Sequence, residues 1–356
     1  MNPLESQLQY PLGDTLPVFG GSHELQPGLR WVRMPLPFAL DHINLWLLRD
    51  RFEGRDGWAI IDCGVARDDL RGYWRQVLET ELESLPVLRI IVTHMHPDHV
   101  GLASWLCERL DVPLFMTMSE YVTARMFSEG GAEGNVNGGE RAVAFFRSHG
   151  LTDPEALEKI RVRRSYYAEL VPSVPQEFHR LLAGDVLRIG EDDWQVIVGY
   201  GHSPEHVSLS CRERNVLISG DMVLPRISTN ISVYDFEPAA DPLRQYLTSL
   251  DEYAPLPADT LVLPSHGRPF VGLHTRITQQ REHHQARLDE VLEACVTPQS
   301  ALDIVPVMFK RPLDLHQLTF ALGEALAHLQ CLERQGSLQR HRDADGVIRF
   351  LAHPHD

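Results

Sequence analysis

The sequence predicts an α/β layered protein with a helical insertion and a helix–helix–hairpin tail. Three observations carry this. Short β-branched runs alternate with stretches whose apolar residues fall at helical spacing, the mark of a layered α/β domain. Glycines cluster at 130–139 and interrupt the alternation, so that about 118–182 reads as helical segments lying over the domain. Beyond Leu273 the pattern turns helical and ends in a turn-and-strand signal at Asp343–Leu351.

Taken in order, Leu29–Arg33, Ile43–Leu48 and Trp58–Ile61 read as strands, the second followed by a turn at Gly54–Gly57 and the third stopped by Asp62-Cys63-Gly64. Residues 67–83 place Leu70, Tyr73, Trp74, Val77 and Leu78 on one helical face. Leu88–Val92 reads as a strand buried on both faces, and Val100 to about Leu110 as a helix. Strands resume at Val186–Ile189, Trp194–Val198, Ser208–Ser210, Val216–Ser219 and Leu261–Leu263, with a helix over Pro242–Tyr253 before the last. A long polar helix spans Leu273–Ala294; helices follow at Ser300–Phe309 and Leu315–Gln335, then a hairpin turning at Asp343–Gly346. The division expected is a catalytic domain over 1–272, and a linker helix with a winged-helix-like module over 273–356.

Composition narrows the function. Of 356 residues 43% are apolar and 23% charged, an ordinary globular balance. The net charge of −16 argues against a broad nucleic-acid surface. No apolar run approaches the roughly 20 residues that span a bilayer, and MNPLESQLQYPLGD does not resemble a secretion signal. The expectation is a cytoplasmic protein without membrane association. Five scattered cysteines with no CxxC pair indicate neither a disulfide framework nor a cysteine zinc site.

Chemistry concentrates at Thr93-His94-Met95-His96-Pro97-Asp98-His99, directly after the Leu88–Val92 strand. Side chains at i and i+2 of an extended chain point the same way, so His94 and His96 can face one metal. The turn at Pro97 lets Asp98 and His99 address a second position. Three later segments place further metal-capable groups just past apolar strands: His202 after Gly201, Asp221 after Gly220, and His266 before Gly267. Strand carboxyl ends are where open α/β domains build sites. Together these seven residues are sufficient for two metals sharing one carboxylate. Histidines with carboxylates suit zinc, and iron and manganese also accept this donor type.

On these motifs the chain resembles the metallo-β-lactamase superfamily over roughly residues 20–275. Cys63 departs from the family's Asp-Thr-Gly. The tail resembles the winged-helix appendage of the β-lactamase-like protein 2 group. The resemblance implies a four-layer αββα sandwich and two divalent metal ions, zinc foremost. It implies His94, His96 and His202 on the first ion, Asp98, His99 and His266 on the second, and Asp221 bridging. It also makes Asp98 the catalytic residue holding the nucleophile's proton, and a homodimer through lid or tail an expectation. Antibiotic-degrading members lack the bridging Asp, so the set resembles glyoxalase II, lactonases and zinc ribonucleases instead.

Asp62 and Thr93 are candidates to orient the imidazoles, and His206 is either a second such group or a buried histidine. For substrate contacts the sequence offers Asn230 and Tyr234, which follow Asp221, and Arg125, Arg163, Arg164, Tyr166 and Tyr167 on the insertion. His283 and His284 read as solvent-facing; His316 and His328 read as packing or surface residues. The leading expectation is hydrolysis of a small-molecule ester or thioester, glyoxalase II-like or acyl-thioesterase-like. The alternative is a phosphodiesterase or endoribonuclease, which the tail's six basic against seven acidic residues over 300–356 opposes. Iron-dependent persulfide oxygenation and a non-enzymatic regulator are minor alternatives.

Overall fold

The computed structural model describes residues 3–38, 40–129, 138–162 and 166–353. The first sheet runs in chain order: β1 (Ser22–Gln26), β2 (Leu29–Pro35), β3 (His42–Phe52), β4 (Arg55–Ile61), β5 (Val87–Ile91), β6 (Leu114–Met116) and β7 (His179–Arg180). Its first four strands are antiparallel and β4 to β7 are parallel. The second sheet takes the order β13 (Phe270–Val271), β12 (Leu261–Pro264), β11 (Val216–Gly220), β10 (His206–Cys211), β9 (Asp192–Gly199), β8 (Val186–Ile189). Only its β11–β12 pair is parallel among the described residues.

The helices are α1 (Asp68–Thr80), α2 (Pro97–Val100), α3 (Ala103–Leu110), α4 (Met118–Glu129), α5 (Gly139–Ser148), α6 (Pro154–Arg161), α7 (Tyr166–Leu170), α8 (Pro242–Ser249), α9 (Leu273–Ala294), α10 (Ala301–Met308) and α11 (Leu315–Arg334). A closing hairpin pairs β14 (Leu338–Arg342) with β15 (Ile348–Ala352).

Alternation along the strands sorts side chains into layers. Trp46 and Leu48 of β3 point inward with Trp31, Ile61 and Ile91 to meet Trp194, Val196, Leu209 and Ile218 of the other sheet. Ile43, Leu45 and Leu47 of the same strand point outward, against Leu70, Trp74 and Val77 of α1 and Leu106 of α3. The outer face of the second sheet packs Ile197, Leu217 and Val262 on α8, α9, α10 and α11. The result is the predicted helix–sheet–sheet–helix stack.

Four strands escaped prediction: β1, β6, β7 and β13. They are edge or short strands, whose ladder partners rather than their composition define them. Arg89 interrupts the apolar run of β5, yet is buried. It lies 2.8 and 3.0 Å from the two oxygens of Asp50, the bidentate pairing a buried charge requires. The insertion is not simply a cover. Tyr121, Ala124 and Phe127 of α4 belong to the first sheet's outer core, whereas α5 and α6 pack with the C-terminal helices. His284 corrects the solvent-facing expectation: it is 1% exposed, because α10 and α11 pack on α9, while its neighbour His283 faces out. His328 is buried against it, with 3.4 Å between ring nitrogens. No described helix is long and apolar enough to cross a membrane.

Gly101 closes the α2 turn in a space bounded by backbone. A Cβ there would stand 2.5 Å from Pro97 O and 2.7 Å from both Gly64 O and Leu170 O. Carbonyls cannot swing aside as a side chain can. Gly101→Ala is therefore expected to destabilise the protein by about 1–3 kcal/mol, measured as a lowered midpoint in thermal unfolding. An unchanged midpoint would show that the turn gives way freely.

Candidate metal centre

Every residue of the metal-capable set sits just beyond a strand end. His94, His96, Asp98 and His99 follow β5, His202 follows β9, Asp221 follows β11 and His266 follows β12. The parallel pairs β4–β5 and β11–β12 deliver their ends to the same edge of the sandwich. The seven side chains converge there as two groups, His94/His96/His202/Asp221 and Asp98/His99/His266, with donor atoms within 4.8 Å of one another in each.

Distances show that these groups do not all satisfy each other. His202 Nε2 lies 3.2 Å from His94 Nε2. His202 Nδ1 donates to Asn230 O at 2.8 Å, which leaves Nε2 a bare lone pair. Thr93 Oγ1 donates to Asp62 and stands 3.0 Å from His94 Nδ1, so that ring too turns a bare Nε2 inward. Two lone pairs at this separation repel unless a cation lies between them. His96 contributes Nδ1, 2.9 Å from His94 Nε2.

Asp221 faces both groups. Its Oδ2 is 3.4 Å from His202 Nε2, and its Oδ1 is 3.4 Å from His266 Nε2 and 3.6 Å from His99 Nε2. Asp98 Oδ2 lies 3.4 Å from His266 Nε2 and 3.8 Å from His99 Nε2. His99 Nε2 and Asp221 Oδ1 are buried without a hydrogen-bond partner among the described residues. Buried polar atoms are almost always satisfied; two such orphans facing each other fit a cation ligated by both.

The electrostatics agree. Burial opposes charge on His99, but Asp62, Asp98 and Asp221 outweigh it and lift the imidazole to about 9. Burial likewise opposes charge on His266, and Asp221 and Asp98 raise it well above its ordinary value. Burial pushes Asp98 up, while His99 and His266 win and hold it at about 2. His94 and His96 are driven down, by burial first and by neighbouring imidazoles next, and so stay neutral and able to ligate. The cluster attracts positive charge beside neutral nitrogen donors.

A second layer of residues holds the rings. Asp62 accepts from His99 Nδ1 at 2.8 Å and from Thr93 N at 2.8 Å, from a left-handed backbone (φ 63°) unusual for a non-glycine residue. His266 Nδ1 donates to His42 O at 2.8 Å, and Gly267 N donates to His42 Nε2 at 2.9 Å. Asn44, wholly buried, donates through Nδ2 to Pro264 O and Gly267 O. His206 is not in either metal-capable group: its Nε2 accepts from Asp221 N at 3.0 Å. That contact requires Gly220, whose Cβ would fall 2.3 Å from the His206 ring. Glu120 of α4 joins the two histidine loops. Its carboxylate accepts from Met95 N, Ser203 Oγ and Glu205 N at 2.8, 2.6 and 2.7 Å, although burial pushes it up to about 7.

Asp62 and Thr93 were legible as orienting residues; His42, Asn44 and Glu120 were not. Their roles depend on contacts across 25 to 225 positions of chain, and no local pattern marks them.

The metal-capable edge floors a cleft of about 570 Å³. His96, Asp98, His202, Asp221 and His266 form one side. The opposite side comes from the tail: Phe309, Arg311 and Leu313, then Gln317, Phe320, Ala321 and Glu324 of α11. Of the expected substrate contacts, Asn230 and Tyr166 line this cleft. Tyr234 instead lines an adjoining pocket of about 110 Å³, stacked on Phe236, because its loop turns away along α11. Tyr167 is buried and donates to Met95 O, so it braces the histidine loop rather than meeting ligands. Arg125 lies on α4 outside the cleft lining and contacts Tyr121. Arg163 and Arg164 lie outside the described residues. His316, expected in packing or at the surface, lines the cleft beside Tyr166.

Known proteins share this sequence and fold. Residues 39–266 match the family model of the metallo-beta-lactamase superfamily, and residues 288–353 match that of the metallo-beta-lactamase-like C-terminal domain. A beta-lactamase domain protein from Burkholderia ambifaria is 53% identical, with a TM-score of 0.91 and 99% of each chain covered. A metallo-beta-lactamase family protein from Thermus thermophilus is 28% identical, with a TM-score of 0.73 over 93% of this chain and 100% of that one. The probable metallo-hydrolase YqjP of Bacillus subtilis (strain 168) is 22% identical over 327 residues, covering 89% of this chain and 95% of its own length. With the fold, the His/Asp cluster and the family match in agreement, this chain belongs to the metallo-beta-lactamase superfamily.

Proposed function

We propose that the protein is a metal-dependent hydrolase of carboxylic esters or thioesters with a binuclear centre. The observation that carries this is Asp221, whose two oxygens address the two donor groups separately. On this reading His94, His96 and His202 would hold one ion and Asp98, His99 and His266 the other, with Asp221 available to both. Zinc is the ion this nitrogen-rich set suits best. When bound, such a pair supplies Lewis acidity and lowers the pKa of water toward 7.

The chain's own residues supply the rest. Asp98 Oδ2 faces His266 and His99, so Oδ1 is the atom that holds the nucleophile's proton. Asp62, Thr93, Asn230 O and His42 O hold the imidazoles with their bare nitrogens inward. Phe38, Leu40, Phe309, Leu313 and Phe320 exclude water and receive a hydrocarbon chain; Arg311 offers a cation for an anionic leaving group.

Two features favour this over a phosphodiesterase. The helix before the hairpin, the element a nucleic-acid reader would present, has Ala325–Leu332 buried in the core. The cleft wall it helps to form presents Phe320 and Ala321 and carries an acid, Glu324, with no lysine or arginine of α11 among the lining.

Metal-replete protein is expected to release thiol from acyl-thioesters. Asp221→Ala is expected to lower kcat/KM at least about 100-fold and to lose at least one metal equivalent, while its far-ultraviolet circular dichroism is unchanged. A fully active variant retaining both metals would refute the bridging role. Wild-type protein that leaves thioesters intact but cleaves a simple phosphodiester would favour the alternative reaction. Exhaustive chelation is expected to lower the thermal midpoint, since bound ions stabilise only the folded state; readdition of zinc should restore it.

Glu120→Gln places an amide N–H₂ against one of the three donors its carboxylate now receives. Metal affinity is expected to fall roughly 10–100-fold, read by competition with a chelating dye. Unchanged affinity would mean that the histidine loops are set without it.

A further inference from the structure

The tail does more than close the cleft. Ala321–Gly323 and Ala325–Leu332 of α11 are buried and largely apolar, and Glu324 between them is half-buried, with its carboxyl in the lining of the cleft that holds the metal-capable residues. A carboxyl partly withdrawn from water is costly unless hydrogen bonds compensate it. Glu324 has one side-chain contact, a long one: Asn230 Nδ2 to its Oε2 at 3.4 Å. Its Oε1 has no partner among the described residues.

Asn230 is itself fixed. Its Oδ1 accepts from Ser232 Oγ at 3.0 Å and its backbone carbonyl from His202 Nδ1 at 2.8 Å. The loop that carries it is bonded to α11, where Val233 N donates to Gly323 O at 3.1 Å. Glu324 therefore sits one residue away from a metal-capable histidine, on a rigid element, with acceptor capacity turned to the cleft. Around it Phe320, Ala321 and Leu313 offer only hydrocarbon. Burial, ahead of every other influence, pushes this carboxyl up to about 7, as expected for an acid that lacks a strong partner.

We propose that Glu324 determines specificity by accepting a hydrogen bond from a donor on the acyl chain, so that the preferred substrates are hydroxyl- or amino-substituted acyl esters or thioesters rather than plain alkyl ones. This rests on the hydrolase reading above. Sites built to bond a substrate hydroxyl discriminate strongly against the analogue lacking it, because their own polar group is left unpaired.

The test compares 3-hydroxybutyryl and butyryl thioesters of one thiol on metal-replete protein. Wild type is expected to prefer the hydroxyacyl substrate in kcat/KM by at least about 10-fold. Glu324→Leu should bring the ratio near unity, and Glu324→Gln, which keeps an acceptor oxygen, should fall between. Metal content and circular dichroism are followed in each. A ratio near unity in wild type, or one unchanged by Glu324→Leu, overturns the proposal. Should Glu324→Leu fail to fold, Glu324→Gln decides, an unchanged ratio again overturning it. If wild type turns over no thioester or ester, the hydrolase reading fails separately. The specificity is then read from thermal protection by the acids themselves: protection by 3-hydroxybutyrate above butyrate, lost in Glu324→Leu and reduced in Glu324→Gln, supports it, and equal protection overturns it.

Discussion

Seven nitrogen and oxygen donors are forced together at one edge of the sandwich, and they do not all satisfy one another. Much of the rest of the structure follows from that constraint. Bare imidazole nitrogens 3.2 Å apart and an orphaned carboxylate oxygen are tolerable only around positive charge. Holding them there requires rigid supports, and the supports are the sheets. Parallel neighbours β4–β5 and β11–β12 bring Asp62, the His94–His99 segment, Asp221 and His266 to one level. The inter-sheet core, with Trp31, Trp46 and Trp194 wholly buried, keeps the two edges in register.

The supports are themselves braced across long chain separations. Asn44 and His42 of the first sheet fix the loop that carries His266. Glu120, in the segment inserted between the sheets, fixes the loops of both histidine pairs. The tail then completes the cleft from the opposite side. Its α11 is bonded to the loop after Asp221, and its Phe320, Ala321 and Glu324 face the donors. On the proposed hydrolase reading, reaction and selectivity fall to different parts of the chain. Strand ends gather the metal-capable residues, and the C-terminal helix lines the cleft above them.

Much of this was legible in the sequence because it is local. The run Thr93–His99 places four donors within six residues, and each later donor stands beside a glycine just past an apolar strand. The spacing of apolar residues located α1 for the same reason. What stayed hidden is what depends on distant partners. Edge strands β1, β7 and β13 have no distinctive pattern. His284 looks polar and exposed on α9 until α10 and α11 cover it. Tyr167 and Tyr234 looked like substrate contacts, yet one supports a backbone carbonyl and the other stacks in a neighbouring pocket. Glu324 is one acid among the seven of residues 300–356, and only the fold turns it toward the cleft.

The centre of the account is that Asp221 is shared by two cation positions. Anomalous diffraction at the zinc edge, on crystals of the full chain grown with zinc, tests this most directly. The account predicts two peaks about 3.5–4 Å apart. One should be ringed by His94, His96 and His202, the other by Asp98, His99 and His266, with one Asp221 oxygen turned to each. A single peak, or two peaks with Asp221 turned away from both, would contradict it.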